Sequence, residues 1–154
     1  PSARIVLLKG ITDDSFIFYT NYTSQKGHET ASNPNVALLF FSHELERQVR
    51  IEGIASQLDS SRSDAYFHSR PIESRIGAWA SPQSQVIPNR DFLVTQEDQF
   101  KELYGNNPPR PPHWGGYEVK ANKIEFWQGR PSRLHDRIAF SLHENSWHMS
   151  RLAP

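Results

Sequence analysis

Four strand-like runs open this chain, three helix-like runs follow, and four more strand-like runs close it. The links between neighbouring strands are too short for parallel crossovers. The opening runs are "RIVLLK" (4–9), "SFIFYT" (15–20), "NVALLFF" (35–41) and "RQVRIEGIASQL" (47–58), rich in β-branched and aromatic residues. The closing runs are "YEVKA" (117–121), "KIEFWQ" (123–128), "RIAFSL" (137–142) and "SWHMSRL" (146–152). This order predicts a mainly β fold: an antiparallel sheet closing toward a barrel, with helices at one side. Asp13-Asp14-Ser15 reads as a hairpin turn, and "YEVKANKIEFW" as two paired strands. "ALLFF" is apolar at every position, which predicts a strand buried on both faces.

Helix signals are local and specific. "QKGHETASNP" allows one short helix, stopped by Asn33-Pro34. "DSSRSDAYFHSR" carries an N-cap cluster at Asp59 to Ser61 and must end before Pro71, which opens the next helix at its first position. "NRDFLVTQEDQFKELYG" places Phe92, Gln96, Phe100 and Leu103 on one stripe and ends at Gly105. The proline-rich "GNNPPRPPHWGG" reads as a rigid loop, or as a ligand for an SH3-type domain.

With 154 residues the chain is expected to form a single domain, 1–154. Lys plus Arg equals Asp plus Glu at 17 each, so no global field draws it to nucleic acid or to an anionic membrane, and any anion site must be local. Cysteine is absent, which excludes disulfides, thiolate nucleophiles and thiolate-bound metals; a reducing, cytoplasmic setting is compatible with this. No apolar run reaches the roughly 18–20 residues of a membrane span. The seven histidines form no HExxH or HxH pair, so no metal is expected. The start at Pro1 without Met is expected of a trimmed product. GxGxxG, P-loop and GxSxG signatures are missing, which argues against doubly wound nucleotide folds and serine hydrolases.

Residues 126–137, "FWQGRPSRLHDR", concentrate Arg130, Arg133 and Arg137 with His135 beside Trp127. A hairpin exit needs no such collection of planar cations, so an anion or a ring is the expected partner. Tyr66 and Arg70 are four apart on one helix face, with Ser74 on the next helix, a set suited to a phosphate monoester. The plain alternative is a surface arginine, a half-buried tyrosine and a capping serine. Arg4 and Lys9 bracket an apolar strand and face opposite sides, as two anion contacts or as solvated strand ends. Lys26 begins a short helix where amides and an ammonium could hold phosphate, or it is a loop lysine. Gln83 and Ser84 are neutral loop donors, and Gln48 sits among apolar neighbours, where its amide needs partners such as a ligand ring.

The blocks "RIVLLKG", "FYTNYTSQKG", "NPNVALLFF", "ERQVRIEG", "YFHSRPIESRIGAWASPQS", "WGGY", "EFWQGRPSRLHDR" and "RLAP" resemble, in order, those of the pyridoxamine 5′-phosphate oxidase family. The resemblance implies an FMN-binding split β-barrel, working as a homodimer with FMN between subunits. It implies FMN contacts at Arg4, Ile5, Val6, Leu7, Leu8, Lys9, Tyr19, Thr20, Gln25, Lys26, Gln48, Gln83, Ser84, Trp127 and Arg137. Substrate contacts are implied at Lys9, Tyr66, Arg70, Ser74, Arg133, Leu134 and His135, with Arg133 and His135 as catalytic residues. The implied reaction oxidises pyridoxine or pyridoxamine 5′-phosphate to pyridoxal 5′-phosphate, with O2 reduced to H2O2. Two departures stand out: Gln25 occupies one position of the family's usual basic pair, and the family's N-terminal helix and first strand are not in this sequence. The second suggests an alternative, a catalytically silent chain that binds FMN or pyridoxal phosphate. Another flavin or heme on the same barrel is disfavoured by the matched substrate cluster.

Overall fold

The longest strand of the computed structural model, β5 (Trp114–Gln128), holds the sheet together. Residues 2–13 and 15–154 are described; the central residue of the expected Asp13-Asp14-Ser15 turn lies outside them. Six further strands are β1 (Gly10–Ile11), β2 (Ser15–Asn21), β3 (Asn35–Ser42), β4 (Arg47–Gln57), β6 (Asp136–His143) and β7 (Ser146–Arg151). Every pairing is antiparallel, in the order β1-β2-β5-β4-β3, with β6 also on β5 and β7 on β6. The expected antiparallel, mainly β architecture with helices is therefore present.

β4 runs along one edge of β5 for almost its whole length, from Tyr117 to Gln128. The other edge is divided. β2 pairs with Trp114 to Lys120, and β6 takes Lys123 to Gln128. The changeover lies at Ala121 and Asn122, where the β4 register slips between Glu52 and Gly53. An extra residue at a bulge bends the strand and raises its twist, so β2 and β6 diverge from one parent.

Three strand expectations are corrected. "YEVKA" and "KIEFWQ" are one continuous strand, because the bulge at Asn122 absorbs what reads as a break in the pattern. "RIVLLK" is not a strand: pairing with β2 is confined to Gly10–Ile11, extended by one bond from Lys9 N–H to the Ile17 carbonyl (2.8 Å). Val6 packs on the core and Arg4 pairs with Glu29 on helix α1, which draws the segment off the edge of β2. β3 is not buried on both faces. It is an edge strand, and Leu39 and Phe41 are 64% and 62% exposed.

The helices are α1 (Gln25–Ser32), α2 (Ser60–Ser69), α3 (Ile72–Ala80) and α4 (Arg90–Tyr104). Their ends follow the residues that signal them. Asp59 and Asn89 accept from Ser61 N–H and Phe92 N–H, and Gly105 closes α4 at φ 53°. Pro71 caps α3 rather than entering its first turn. Phe18, Ala55, Tyr117 and Val119 form the core between β2, β4 and β5, while Phe67 and Ile76 anchor α2 and α3. Among the described residues no helix is long and apolar enough to cross a membrane.

Gly27 enables the tight entry to α1. An added Cβ would lie 2.0 Å from the Tyr22 carbonyl oxygen, a backbone atom that cannot move aside. Gly27→Ala is expected to cost about 1–3 kcal/mol, the range for overpacking a tight site. Chemical denaturation checks it: an unchanged midpoint would mean the α1 entry is slack.

Candidate functional site

The expected site residues gather in two groups at opposite ends of β5. At the Trp114 end, Ser24 caps α1 by accepting from Gly27 N–H and leaves Lys26 turned back toward β2. Lys26 Nζ donates to Thr20 Oγ1 at 3.0 Å and Ser24 Oγ at 3.4 Å, and Thr20 Oγ1 donates to Gln83 Oε1 at 3.3 Å. Arg4, Ile5, Gln25, Lys26, Gln83 and Ser84 line a recess of about 360 Å³. Arg4 reaches Glu29 at 2.8 Å, and Gln25 donates to the same carboxylate at 2.9 Å. Hydrogen bonds from Ser2, Arg4 and Gln25, in that order, hold the Glu29 pKa at about 2. Lys26 differs. No carboxylate among the described residues lies within ion-pairing distance of it, and burial, then the Arg4 charge, push its pKa down. A half-buried ammonium with hydroxyl partners alone is suited to an incoming anion.

Beside this recess stands an aromatic column. Tyr19 stacks on Tyr66 at 3.8 Å, and both stack toward Trp114, at 5.6 and 6.3 Å. The Arg70 guanidinium lies 4.6 Å from the Trp114 ring. Tyr66 and Arg70 thus share a helix face, as their spacing predicts. Arg70 Nη1 is buried without a hydrogen-bond partner, and burial pushes its pKa down. Guanidinium does not deprotonate in proteins, so this is a cation with an open donor. Ser74 is half-buried in the first turn of α3. Val6 points to the core, Leu7 and Leu8 are exposed, and Lys9 is exposed just before β1.

At the other end, Gln48, Trp127 and Arg137 are direct neighbours on β4, β5 and β6. Directly opposed residues point to one face. Arg137 forks onto the buried Glu125 at 2.8 and 3.1 Å and donates to the Ala153 carbonyl, while Arg50 holds the same carboxylate at 3.0 Å. Arg130 is bound to Asp136 at 2.7 Å. Of the three arginines in the motif, Arg133 alone makes no ion pair among the described residues. Its backbone and that of Ser132 are left-handed, at φ 62° and 59°, strain of the kind held at functional turns. Leu134 is exposed. The His135 ring sits 4.7 Å from Trp127, and Arg130 N–H donates to its Nδ1 at 3.1 Å. Neutral His135 therefore carries its proton on Nε2.

Trp114 and Trp127 are thirteen residues apart on one strand, roughly 40 Å along it at about 3.3 Å per residue. Lys26 and Arg137 therefore belong to groups at opposite ends of this strand. Sequence reasoning missed Trp114, Arg110 and the buried, unpartnered Arg75 Nε. Trp114 and Arg75 fall in family-like blocks without a role of their own, and Arg110 had a signal as the single charge inside the proline-rich loop.

Residues 1–104 match the family model for pyridoxamine 5′-phosphate oxidase, and residues 114–154 match that for the pyridoxine 5′-phosphate oxidase C-terminal dimerisation region. The chain belongs to the pyridoxamine 5′-phosphate oxidase family. Within that family, the pyridoxine/pyridoxamine 5′-phosphate oxidase of Polynucleobacter asymbioticus is 60% identical over 154 residues, all of this chain and 73% of the relative. That of Cupriavidus necator is 57% identical over 155 residues, with the same coverage. Among solved structures, PhzG from Burkholderia lata 383, in complex with tetrahydrophenazine-1-carboxylic acid, superposes with a TM-score of 0.93 at 31% identity, over 99% of this chain and 75% of PhzG. A pyridoxamine 5′-phosphate oxidase-related FMN binding protein from Nostoc punctiforme shares the fold at TM-score 0.74 and 15% identity, over 98% of this chain and 80% of that one. The architecture is thus the family's split barrel, and the family is one of oxidoreductases.

Removing a desolvated, unpaired ammonium should not cost stability. Lys26→Met is expected to leave the melting temperature unchanged or higher in anion-free buffer, and to abolish any rise on adding inorganic phosphate. Thermal scans with and without phosphate test this; a large loss of stability in anion-free buffer would contradict it.

Proposed function

We propose that the protein is an FMN-dependent oxidase that converts pyridoxine or pyridoxamine 5′-phosphate to pyridoxal 5′-phosphate. The observation that carries this is a pair of cations without a carboxylate partner among the described residues, Lys26 with hydroxyls alone and Arg70 with an unsatisfied donor, beside the Tyr19–Tyr66 stack. Two phosphate-bearing ligands with planar rings need two cations and flat surfaces between them. The donor set fits FMN: Lys26, Arg4, Gln25 and Thr20 would take its phosphate, Gln83 and Ser84 its polar edge. When bound, FMN would supply the two-electron acceptor for oxidation at the substrate's C4′ carbon, with O2 reduced to H2O2; for the amine substrate, water would supply the aldehyde oxygen and the nitrogen would leave as ammonia.

The chain's own residues bind and orient. Arg70 offers its open donor to the substrate phosphate, with Tyr66, Ser74 and Lys9 nearby in function. Arg133, unpaired on its strained turn, is the group for the reacting carbon. With Arg130 N–H on Nδ1, His135 would donate to the ligand from Nε2–H and is ill placed to accept a proton there. The likeness to PhzG supports a second reading, in which the ring substrate bears a carboxylate that Arg70 would hold equally well. Identity of 57–60% to named pyridoxine/pyridoxamine 5′-phosphate oxidases favours the phosphate. Anaerobic mixing of the flavin-loaded protein with pyridoxine 5′-phosphate tests this: bleaching of the flavin band is expected, and a band that persists would overturn it.

The match to a C-terminal dimerisation region and the placement of the two groups at opposite ends of β5 both support a homodimer. Leu39, Phe41 and Ile54 are exposed on the sheet face that also carries Gln48, Trp127 and Arg137. A second copy covering that apolar face would join the Trp127 group of one protomer to the Lys26 group of the other.

Mixed dimers test the shared site. Arg70→Leu and Arg133→Leu should each be nearly inactive alone, through substrate binding and turnover respectively. Random re-association of the two should restore about a quarter of wild-type activity, because half the dimers are mixed and each has one intact site of two. A mixture as inactive as its parents would place both arginines in one protomer's site.

His135→Gln keeps an N–H donor near the Nε2 position and should retain at least about tenfold more turnover than His135→Ala, the worth of one hydrogen bond to a charged group. Equal loss in both variants would return His135 to proton transfer.

A further inference from the structure

Arg110 belongs to the proline-rich loop between α4 and β5, a segment to which the proposed reaction assigns no part. Its side chain is largely buried and makes three separate bonds: Nε to Asp64 Oδ1 at 2.6 Å, Nη2 to Ser60 Oγ at 2.7 Å, and Nη1 to the Trp114 carbonyl at 2.6 Å. Ser60 and Asp64 lie on successive turns of α2, and Trp114 is the first residue of β5. One guanidinium therefore ties the first half of a helix to the start of a strand. The second half of that helix ends at Tyr66 and at Arg70, its C-cap, and the Arg70 guanidinium stacks over the Trp114 ring.

We propose that Arg110 is a positioning residue for the substrate-phosphate site: by clamping α2 to Trp114 it fixes the register in which Arg70 rests on the indole with one donor open. The proposal rests on the reading of Arg70 as the phosphate ligand. The loop's prolines serve the same end. Pro108 and Pro111 are fully buried, and Trp114 N–H donates to the Pro111 carbonyl at 3.1 Å. A loop stiffened in this way loses little entropy in presenting Arg110. Gly116 N–H also donates to Ser63 Oγ at 3.1 Å, so α2 keeps one tie to β5 without Arg110. Loss of the clamp should therefore shift Arg70 rather than unfold the helix.

A helix that slides by about 1 Å is enough to misplace a bidentate fork. In the FMN-loaded protein, Arg110→Gln should raise KM for pyridoxine 5′-phosphate and Ki for inorganic phosphate together, by about three- to tenfold, the worth of one or two such bonds. Turnover at saturation and FMN affinity should hold within about twofold, because Arg133, His135 and Lys26 sit on other elements. Arg110→Lys, which keeps the Asp64 pair and loses the fork, should fall between. If Arg110→Gln folds poorly, Asp64→Asn, which keeps an acceptor and removes the charge, should give the same paired rise at a smaller size. A lowered melting temperature with KM and phosphate Ki unchanged would make the clamp purely structural and overturn the proposal, as would a loss confined to turnover. Arg70→Lys is the control that separates the two readings. If it leaves phosphate Ki untouched, the assignment of Arg70 has failed; if it raises Ki while both Arg110 variants do not, the clamp alone has failed.

Discussion

One strand edge serving two partners sets the plan of this molecule. β5 gives its first half to β2 and its second half to β6, and the bulge between them turns the two apart. A regular ladder would have used the whole edge for a single neighbour. The consequence is spatial: everything attached to β2 and its following helix collects at the Trp114 end, and everything attached to β6 collects at the Trp127 end.

The two ends treat charge differently. Around Trp127 the cations are largely neutralised within the chain. Glu125, 2% exposed, is held by Arg50 and Arg137 across three strands, and Asp136 is held by Arg130 and Arg151. A buried carboxylate so paired is costly to disturb, and here it locks β4, β5 and β6 in register. Around Trp114 Arg4 and Arg110 have carboxylate partners, but two other cations are left short of them. Lys26 has only hydroxyls and Arg70 has an unsatisfied donor, so this end stores an unfavourable desolvation that a bound anion would relieve. Binding capacity at one end and rigidity at the other would be complementary in the two-copy site proposed above.

The aromatic column connects these ideas. Tyr19, expected at the cofactor, and Tyr66, expected at the substrate, stack directly, and Trp114 supports both. Flat, rigid side chains lose little freedom when a planar ligand arrives, which keeps the cost of organising the site low. Arg70 rests on the same support, so the proposed ring and phosphate contacts would share one foundation.

Local chemistry was readable along the chain. Asp59, Asn89 and Gly105 bound their helices because capping depends on neighbours within a few residues, and the Tyr66–Arg70 spacing placed both on one face because helical period is local too. Ordered blocks of residues also carried the family and its fold. What the chain could not reveal by itself depended on distant partners. Arg4 to Lys9 has every mark of a strand, yet an ion pair with Glu29 and the burial of Val6 take it off the sheet. The apolar run of β3 reads as a doubly buried strand, yet its place at the sheet's edge leaves one face open. Arg110 reads as a charge in a loop, and only the meeting of α2 with β5 makes it a clamp. The sequence determined which residues could bind phosphate and flat rings, because that follows from functional groups and short-range geometry. Only the tertiary structure decided that they divide into two groups at opposite ends of one strand, because the register of β5 against β2, β4 and β6 is set by contacts between residues as far apart as Ser15 and Lys120.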